Sequence, residues 1–215
     1  MLDDNKFEFI KLFQEFISSY PYTVDGIGHI KSYTQQRQQA CRNFEAIRAI
    51  ADTGENVKEL VLLQLLPHSN TSNNRQRGAW INMTPSVTED IQEWFEGATL
   101  TQSENWEQIA IAILNFVCCC NENPEKLSLA CRQFSQFPYC EDFEMGMLTP
   151  ILNALRPDDF LLINNKSQQV INYFANTKYG NKLTEYALVN DTGRNLIKRI
   201  SQYMRRVRAS QLGLT

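Results

Sequence analysis

Apolar residues near the start of the chain recur with the spacing of an amphipathic helix. They fall every three or four positions until Pro21 closes the segment, and they are Phe9, Ile10, Phe13, Phe16, Ile17 and Tyr20. This 3.6-residue period predicts a first helix. A second long helix is predicted after a flexible Asp25–Gly28 turn, because apolar residues recur again from Ile30 to Ala51 before Asp52-Thr53-Gly54 ends the pattern.

A change of composition follows the second helix. The apolar run Val57–Pro67 has no clean period, so it favours a helix while leaving a buried strand open. His68–Gly78 then contains no apolar residue and is rich in Asn and Ser, as loops and domain boundaries are. The predicted organisation is an N-terminal helical segment (1–67), a polar loop (68–79) and a main helical domain (80–215), or a single continuous domain.

The central part of the chain predicts the core. Thr84-Pro85 is typical of a helix start and predicts a helix to Gly97. Glu107–Cys120 is apolar nearly all round, which places a helix in the middle of a bundle. No internal repeat and no clean two-residue alternation is visible. The predicted fold is therefore mainly α, an irregular multi-helix bundle with at most a small β element near Ala79–Met83 or Phe160–Ile163.

Composition narrows the class of protein. The chain has 215 residues, of which 43% are hydrophobic and 21% charged, as in ordinary globular proteins. A net charge of −3 excludes a generally basic, nucleic-acid-coating protein but allows a local basic face. The longest apolar run, Ile109–Cys120, is shorter than the roughly 20 residues that span a bilayer. The acidic start is unlike a secretory signal, so we expect a cytoplasmic protein without membrane contact.

The cysteines and histidines predict no catalytic or metal centre. The six cysteines form no CxxC pair, and only His29 and His68 offer imidazole ligands. Neighbouring cysteines in Cys118-Cys119-Cys120 point in different directions on a helix, so they cannot share one zinc ion. We expect the cysteines to act as small buried hydrophobic residues. No nucleophile–base pattern is present either, so we expect no cofactor and no enzymatic activity.

Two apolar runs meet at a polar segment between Arg156 and Ser167. A proline inside a helix costs about 3 kcal/mol, so Thr149 is predicted to cap a new helix that begins at Pro150. Arg156-Pro157 should end it. Asn164 or Asn165 should then cap a helix through Phe174, whose apolar side chains are expected to face inward, namely Val170, Ile171 and Phe174.

Capping accounts for one asparagine of this segment but not for its neighbours. Lys166 would lie in the first turn of the helix, where a cation opposes the helix dipole by roughly 0.3–1 kcal/mol. That local cost suggests a second task, such as contact with a phosphate or carboxylate. Asn164, Asn165 and Lys166 are therefore candidate binding residues.

The last helix carries a concentrated positive charge. Asp191 is the final acid of the chain, and six basic residues follow it. Apolar residues recur at helical spacing from Leu196 to Val207, while four cations fall within an arc of about 80° on the opposite side, namely Arg194, Lys198, Arg205 and Arg208. Three interpretations stay open: a solvated face whose late arginines suit the helix dipole, a contact for nucleic-acid phosphates, and a contact for an acidic surface.

The run TPILNALRPDDFLLINNKSQQVINYF, with the preceding Trp106–Ala110 region, carries a resemblance. It is similar to the N-terminal, non-ATPase regions of bacterial, especially cyanobacterial, Mcr-type AAA+ restriction ATPases, over roughly Trp80–Tyr186. The matching residues are Pro150, Leu155, Pro157, Phe160, Ile163, Asn164, Asn165 and Lys166. Such regions typically recognise modified DNA or another partner. This chain has no GxxxxGK[ST] motif, so the resemblance implies a recognition module without the motor.

Two functions are predicted from these features. The first is a non-catalytic recognition or adaptor module of a restriction or defence-type ATPase system, with DNA and an AAA+ ATPase as expected partners. Its surface would combine Lys166 with the basic face of the last helix. The second is a helical protein-interaction or oligomerisation domain that does not bind nucleic acid.

Overall fold

The protein folds into helices joined by short connections. The computed structural model describes residues 4–82, 86–87, 105–137, 140 and 145–211, with side chains from Phe7 to Arg205. The helix predicted from Pro85 to Gly97 lies outside the described residues. In the described part, the helices are α1 (Asp4–Ser19), α2 (Val24–Asp52), α3 (Lys58–Leu60), α4 (Ser72–Gln76), α5 (Trp106–Glu122), α6 (Leu127–Gln136), α7 (Met145–Leu155), α8 (Asn165–Ala175) and α9 (Tyr186–Gln211).

The fold is mainly α, as the sequence predicts. No strand occurs in the described residues, and β pairing is limited to isolated parallel bridges from His68 to Ile81 and to Val87. The first bridge falls within the predicted Ala79–Met83 element, whereas Phe160–Ile163 contains neither a strand nor a bridge. Over the ranges described, none of the helices combines the length and the apolar character needed to cross a bilayer.

Helix α5 occupies the centre of the bundle, which confirms its predicted core position. Its buried residues lie on several sides of the helix, because α3, α6 and α7 all pack against it. These residues are Ile109, Ala110, Ala112, Ile113, Leu114, Phe116, Val117 and Cys120. Only one line of the helix faces water, where Ile111 is 44% exposed and Asn115 is also exposed. Around this centre α2 packs on α7, and α8 packs on α9.

The corner between α1 and α2 differs from the prediction. The Asp25–Gly28 segment is not a turn but the first turn of α2, which Thr23 caps by accepting a hydrogen bond from the Gly26 N–H at 3.0 Å. The actual corner is a short 3-10 helix, Tyr20–Tyr22. Gly26 is needed there, because a Cβ atom at this position would overlap the Tyr20 carbonyl. Glycine in this segment therefore permits close approach of the backbone, rather than flexibility.

The predicted break at Pro150 is wrong. Helix α7 runs through it from Met145 to Leu155. Proline at this position removes only the bond to the carbonyl of Gly146, one turn earlier, so the loss is confined to the start of the helix. Thr149 does not cap the helix. Its hydroxyl accepts a hydrogen bond from the Ile163 N–H at 3.0 Å and donates to the Ile163 carbonyl at 3.3 Å, which joins α7 to the segment before α8.

The polar stretch from His68 to Gly78 is fastened to the body of the protein. It contains α4, which Thr71 caps. Buried Asn43 of α2 donates to the carbonyls of Gln64 and Gly78, at 2.8 and 3.0 Å. One hydrophobic core contains residues from both sides of this stretch, including Phe44 and Ile113. The division of the chain at 68–79 stays a prediction.

Candidate functional site

The segment before α8 acts as a helix cap. Asn164 accepts hydrogen bonds from the backbone N–H groups of Lys166 and Ser167, at 3.1 and 3.0 Å, and the Ser167 hydroxyl accepts one from the Asn164 N–H at 2.8 Å. This reciprocal capping box satisfies three donors at the helix start. The capping interpretation is confirmed. Asn165 and Lys166 are exposed beside the cap, and their role in binding stays a prediction.

A network of polar side chains holds the loop between α7 and α8. Arg156 pairs with the Asp159 carboxylate at 2.7 Å and donates to the Asn121 carbonyl at 3.0 Å. Buried Asn190 of α9 accepts from the Leu161 N–H at 2.8 Å and donates to the Asp159 carbonyl at 3.0 Å. These contacts link the loop to α5 and α9. They use most of the hydrogen-bonding capacity of the segment for structure.

One residue of the predicted basic face of α9, Arg194, belongs to the same network. Arg194 turns toward the body, donates to the Asp159 carbonyl at 2.6 Å and lies 3.7 Å from the Asp159 carboxylate. Lys198 and Arg205 are exposed. Helix α9 includes Arg208, but the side chain of Arg208 lies outside the described residues. The outward positive charge of α9 is therefore smaller, over the side chains that can be placed, than its sequence suggests.

The inward orientation predicted for α8 holds only in part. Ile171 is buried and Phe174 is half-buried, whereas Val170 is 46% exposed. The reason is the direction of packing: α9 covers one side of α8, where Gly193 lies close to the side chain of Ile171. Val170 follows a different line on the helix surface and is left outside.

An uncovered apolar surface lies on α1 and was not predicted as a site. Ile10 is the single buried residue among the described side chains of α1. Four large apolar side chains are exposed along one side of the helix, and we call them the α1 surface: Leu12 (56%), Phe13 (37%), Phe16 (50%) and Ile17 (37%). On another side α1 packs against α9, and it is also held by Phe9 against the Phe174 ring at 4.6 Å and by the Tyr20 hydroxyl, 2.5 Å from His29 Nδ1.

Apolar side chains are also exposed on the first half of α2. They are Val24, Ile27, Ile30 and Tyr33, and Tyr22 is exposed in the corner between the helices. Single exposed apolar residues are normal on a protein surface, but a contiguous group is typical of a site of contact. The periodicity of α1 correctly indicates an amphipathic helix. It does not indicate whether the chain itself covers the apolar side.

Burial shifts the pKa values of several ionisable groups that the structure describes. Burial raises the pKa of the Cys131 and Cys140 thiols to about 12, so both stay protonated and weakly nucleophilic at neutral pH. Burial lowers the pKa of His68 to about 4, and its ring is held between the Leu62 carbonyl and Arg77. No group of three or more His, Cys, Asp or Glu side chains suited to a metal ion occurs in the part of the chain that is described.

Comparisons with protein-family models, with curated proteins and with solved structures find no match to this chain. The class that the fold and the surface define is a helical bundle with an exposed apolar helix at one edge. Its function has to be inferred from that geometry.

Proposed function

We propose that the chain is a non-catalytic helical interaction module that binds protein through the α1 surface. The observation that carries this proposal is the exposure of Leu12, Phe13 and Phe16 on a helix that is otherwise amphipathic. These side chains are apolar, so their burial by another protein is favourable by roughly 25 cal/mol per Å² of apolar surface removed from water. A helix offering such a row is a common means of docking into a groove or against another helix.

The extent of the surface supports the proposal. Its four members are 37–56% exposed along one side of α1, and five further large apolar side chains are exposed in the corner and on the first half of α2. An exposed apolar patch of a few hundred Å² is often a site of contact.

The proposal keeps the adaptor role that the resemblance to ATPase N-terminal regions implies. An adaptor needs a surface for its partner, and an apolar helix provides one. The proposed role requires no catalytic residues. The proposal therefore agrees with the expectation that the chain is not an enzyme.

We expect a photo-crosslinking amino acid placed at Phe16 to form discrete protein adducts in cells that contain the full chain. The reason is that Phe16 is half exposed at the middle of the α1 surface. The measurement is the pattern of adduct bands on a denaturing gel, identified by mass spectrometry. The matched control carries the same amino acid at Glu125, an exposed position outside this surface, and should give no discrete band. Equal patterns at both positions, or none at Phe16, would contradict the proposal.

DNA contact through α9 is a second candidate function. It is favoured by the exposure of Lys198 and Arg205 on one line of the helix, because two cations in a row suit the phosphates of a nucleic-acid backbone. Arg205 also borders an open groove that Lys11 and Glu15 of α1 line. Such contact would be weak and strongly dependent on salt.

If α9 binds DNA, we expect the Lys198→Glu, Arg205→Glu double variant to reduce the salt dependence of binding. The slope of log K against log[salt] should become less negative by about 2, since each lost phosphate contact removes about 1. The measurement is a fluorescence-anisotropy titration between about 50 and 200 mM salt with plain and cytosine-modified duplexes. Lys126→Glu, an exposed charge change outside α9, is the control. Absence of binding by the unaltered chain at low salt would remove this candidate.

A further inference from the structure

The aromatic residues of α1 and Tyr20, the first residue of the corner, have the spacing of a helix that pairs lengthwise with another helix. Phe9, Phe13, Phe16 and Tyr20 are separated by intervals of four, three and four residues. This is the spacing of the a and d positions of a coiled coil, where side chains of two helices interlock along a shared seam. In this molecule Phe13 and Phe16 contact rings one turn away along the chain instead. Phe13 stacks on Phe9 with centroids 6.1 Å apart, and Phe16 stacks on Tyr20 at 4.9 Å.

We propose that the partner of the α1 surface is α1 of a second copy of this chain, paired antiparallel about a two-fold axis between Gln14 and Glu15. This inference rests on the proposed function and specifies its partner. In an antiparallel pair an a position faces a d position, so Phe13 of each copy meets Phe16 of the other. The contact is isologous, because both copies use the same residues.

The register follows from the order of side chains along α1. With the axis between Gln14 and Glu15, Leu12 faces Ile17 of the second copy, and Phe9 faces Tyr20 at the edges of the contact. The exposed apolar side chains of the α1 surface are then all matched with apolar ones.

Other arrangements are less favourable. Moving the axis to Phe13 would bring Leu12 level with Gln14 and Phe16 level with Ile10, which is buried in its own copy. A parallel pair would bring the same ends of the two helices together, and their partial charges repel, whereas an antiparallel pair places opposite ends side by side. The antiparallel register between Gln14 and Glu15 has neither defect.

The symmetry and the composition of the α1 surface suit a contact between two copies. Its members lie in equal steps on either side of the axis, Phe13 with Phe16 and Leu12 with Ile17, so each apolar side chain meets an apolar partner. Homodimer interfaces are more apolar than those between transient partners.

Substitutions that introduce opposite charges at the centre of the seam test both the identity of the partner and the register. The full chain should sediment as a dimer at micromolar concentration in analytical ultracentrifugation. Phe13→Lys and Phe16→Glu should each weaken the dimer at least about a hundredfold, because each places two unpaired charges in the seam. An equimolar mixture should recover the dimer, because the lysine introduced in one variant then meets the glutamate introduced in the other. The unaltered phenylalanines of the two variants meet each other as before.

Two controls accompany this test. Leu188→Lys changes an apolar side chain that is 60% exposed on α9 and should leave the dimer unchanged. Circular dichroism should show equal helix content in every variant, since Phe13 and Phe16 are not core residues. The double variant Phe13→Lys, Phe16→Glu in one chain should again form a dimer, because both seam contacts are then between opposite charges.

The outcomes separate this inference from the proposed function. A full chain that stays monomeric at about 100 µM, or a mixture of the two variants that stays monomeric while the full chain forms dimers, would overturn the self-pairing of α1. If the monomeric chain still forms Phe16 adducts with a different protein, docking through α1 stands with another partner. Absence of any Phe16 adduct would overturn the docking function as well.

Discussion

Replacing Thr149 with valine is expected to lower the free energy of unfolding by about 2–4 kcal/mol. Thr149 and Ile163 are both buried, and the threonine hydroxyl bonds to both the N–H and the carbonyl of Ile163. Valine has nearly the same shape, so it creates little cavity. It leaves two buried backbone groups without these partners, and each such group costs about 1–3 kcal/mol. The measurement is equilibrium unfolding in urea.

Two further variants give this prediction its controls. Thr149→Ser keeps the hydroxyl and should restore most of the lost stability, apart from the removed methyl group. Thr34→Val removes an exposed hydroxyl that bonds back to the Ile30 carbonyl within α2, and it should change stability by less than about 0.5 kcal/mol. A Thr149→Val protein as stable as the original would mean that this link between α7 and the loop contributes little.

Local signals predicted the parts of the fold that local chemistry decides. The all-round apolar character of α5 predicted its central position, and the Asn164–Ser167 sequence predicted a cap that the structure contains. Thr149 shows where this reasoning stops. A threonine before a proline resembles a helix start, but the partner of its hydroxyl is Ile163, fourteen residues later. Only the packed fold brings those groups together.

The candidate surfaces were harder to predict for a related reason. Periodicity shows which side of α1 is apolar, but the number of helices that cover this side depends on the whole bundle. In α9, Arg194 lies on the predicted basic line, yet its guanidinium contacts Asp159, thirty-five residues earlier. Charge patterns along one helix therefore overstate a basic face whenever an acid of another element is within reach.

His68 was predicted to lie in a polar loop, and its burial makes it the clearest pH-sensitive group of the fold. Its Nε2–H donates to the Leu62 carbonyl at 2.9 Å, so Nδ1 accepts from Arg77 at 3.0 Å. Burial lowers its pKa from 6.5 to about 4, the Leu62 contact partly opposes this change, and the Arg77 charge adds to it. The neutral ring is thus the form that fits the folded protein.

We expect the free energy of unfolding to fall by up to about 3 kcal/mol through His68 as the pH is lowered from 7 to 4. The unfolded chain binds a proton at its ordinary pKa near 6.5, whereas the folded protein resists protonation until about pH 4. Between these values the unfolded state binds more protons, so acid favours unfolding. Above pH 6.5 the stabilisation is fully present, and below pH 4 this group adds no further loss.

Urea unfolding at several pH values tests this prediction through the difference between variants. His68→Gln removes the titrating group, so its stability should vary less between about pH 7 and 4 than that of the original chain, whatever its absolute stability. Because the carboxylates titrate in both proteins, subtraction isolates the contribution of His68. If the free energy of unfolding varied with pH equally with and without His68, the ring would be open to water in the folded protein, and this prediction would be wrong.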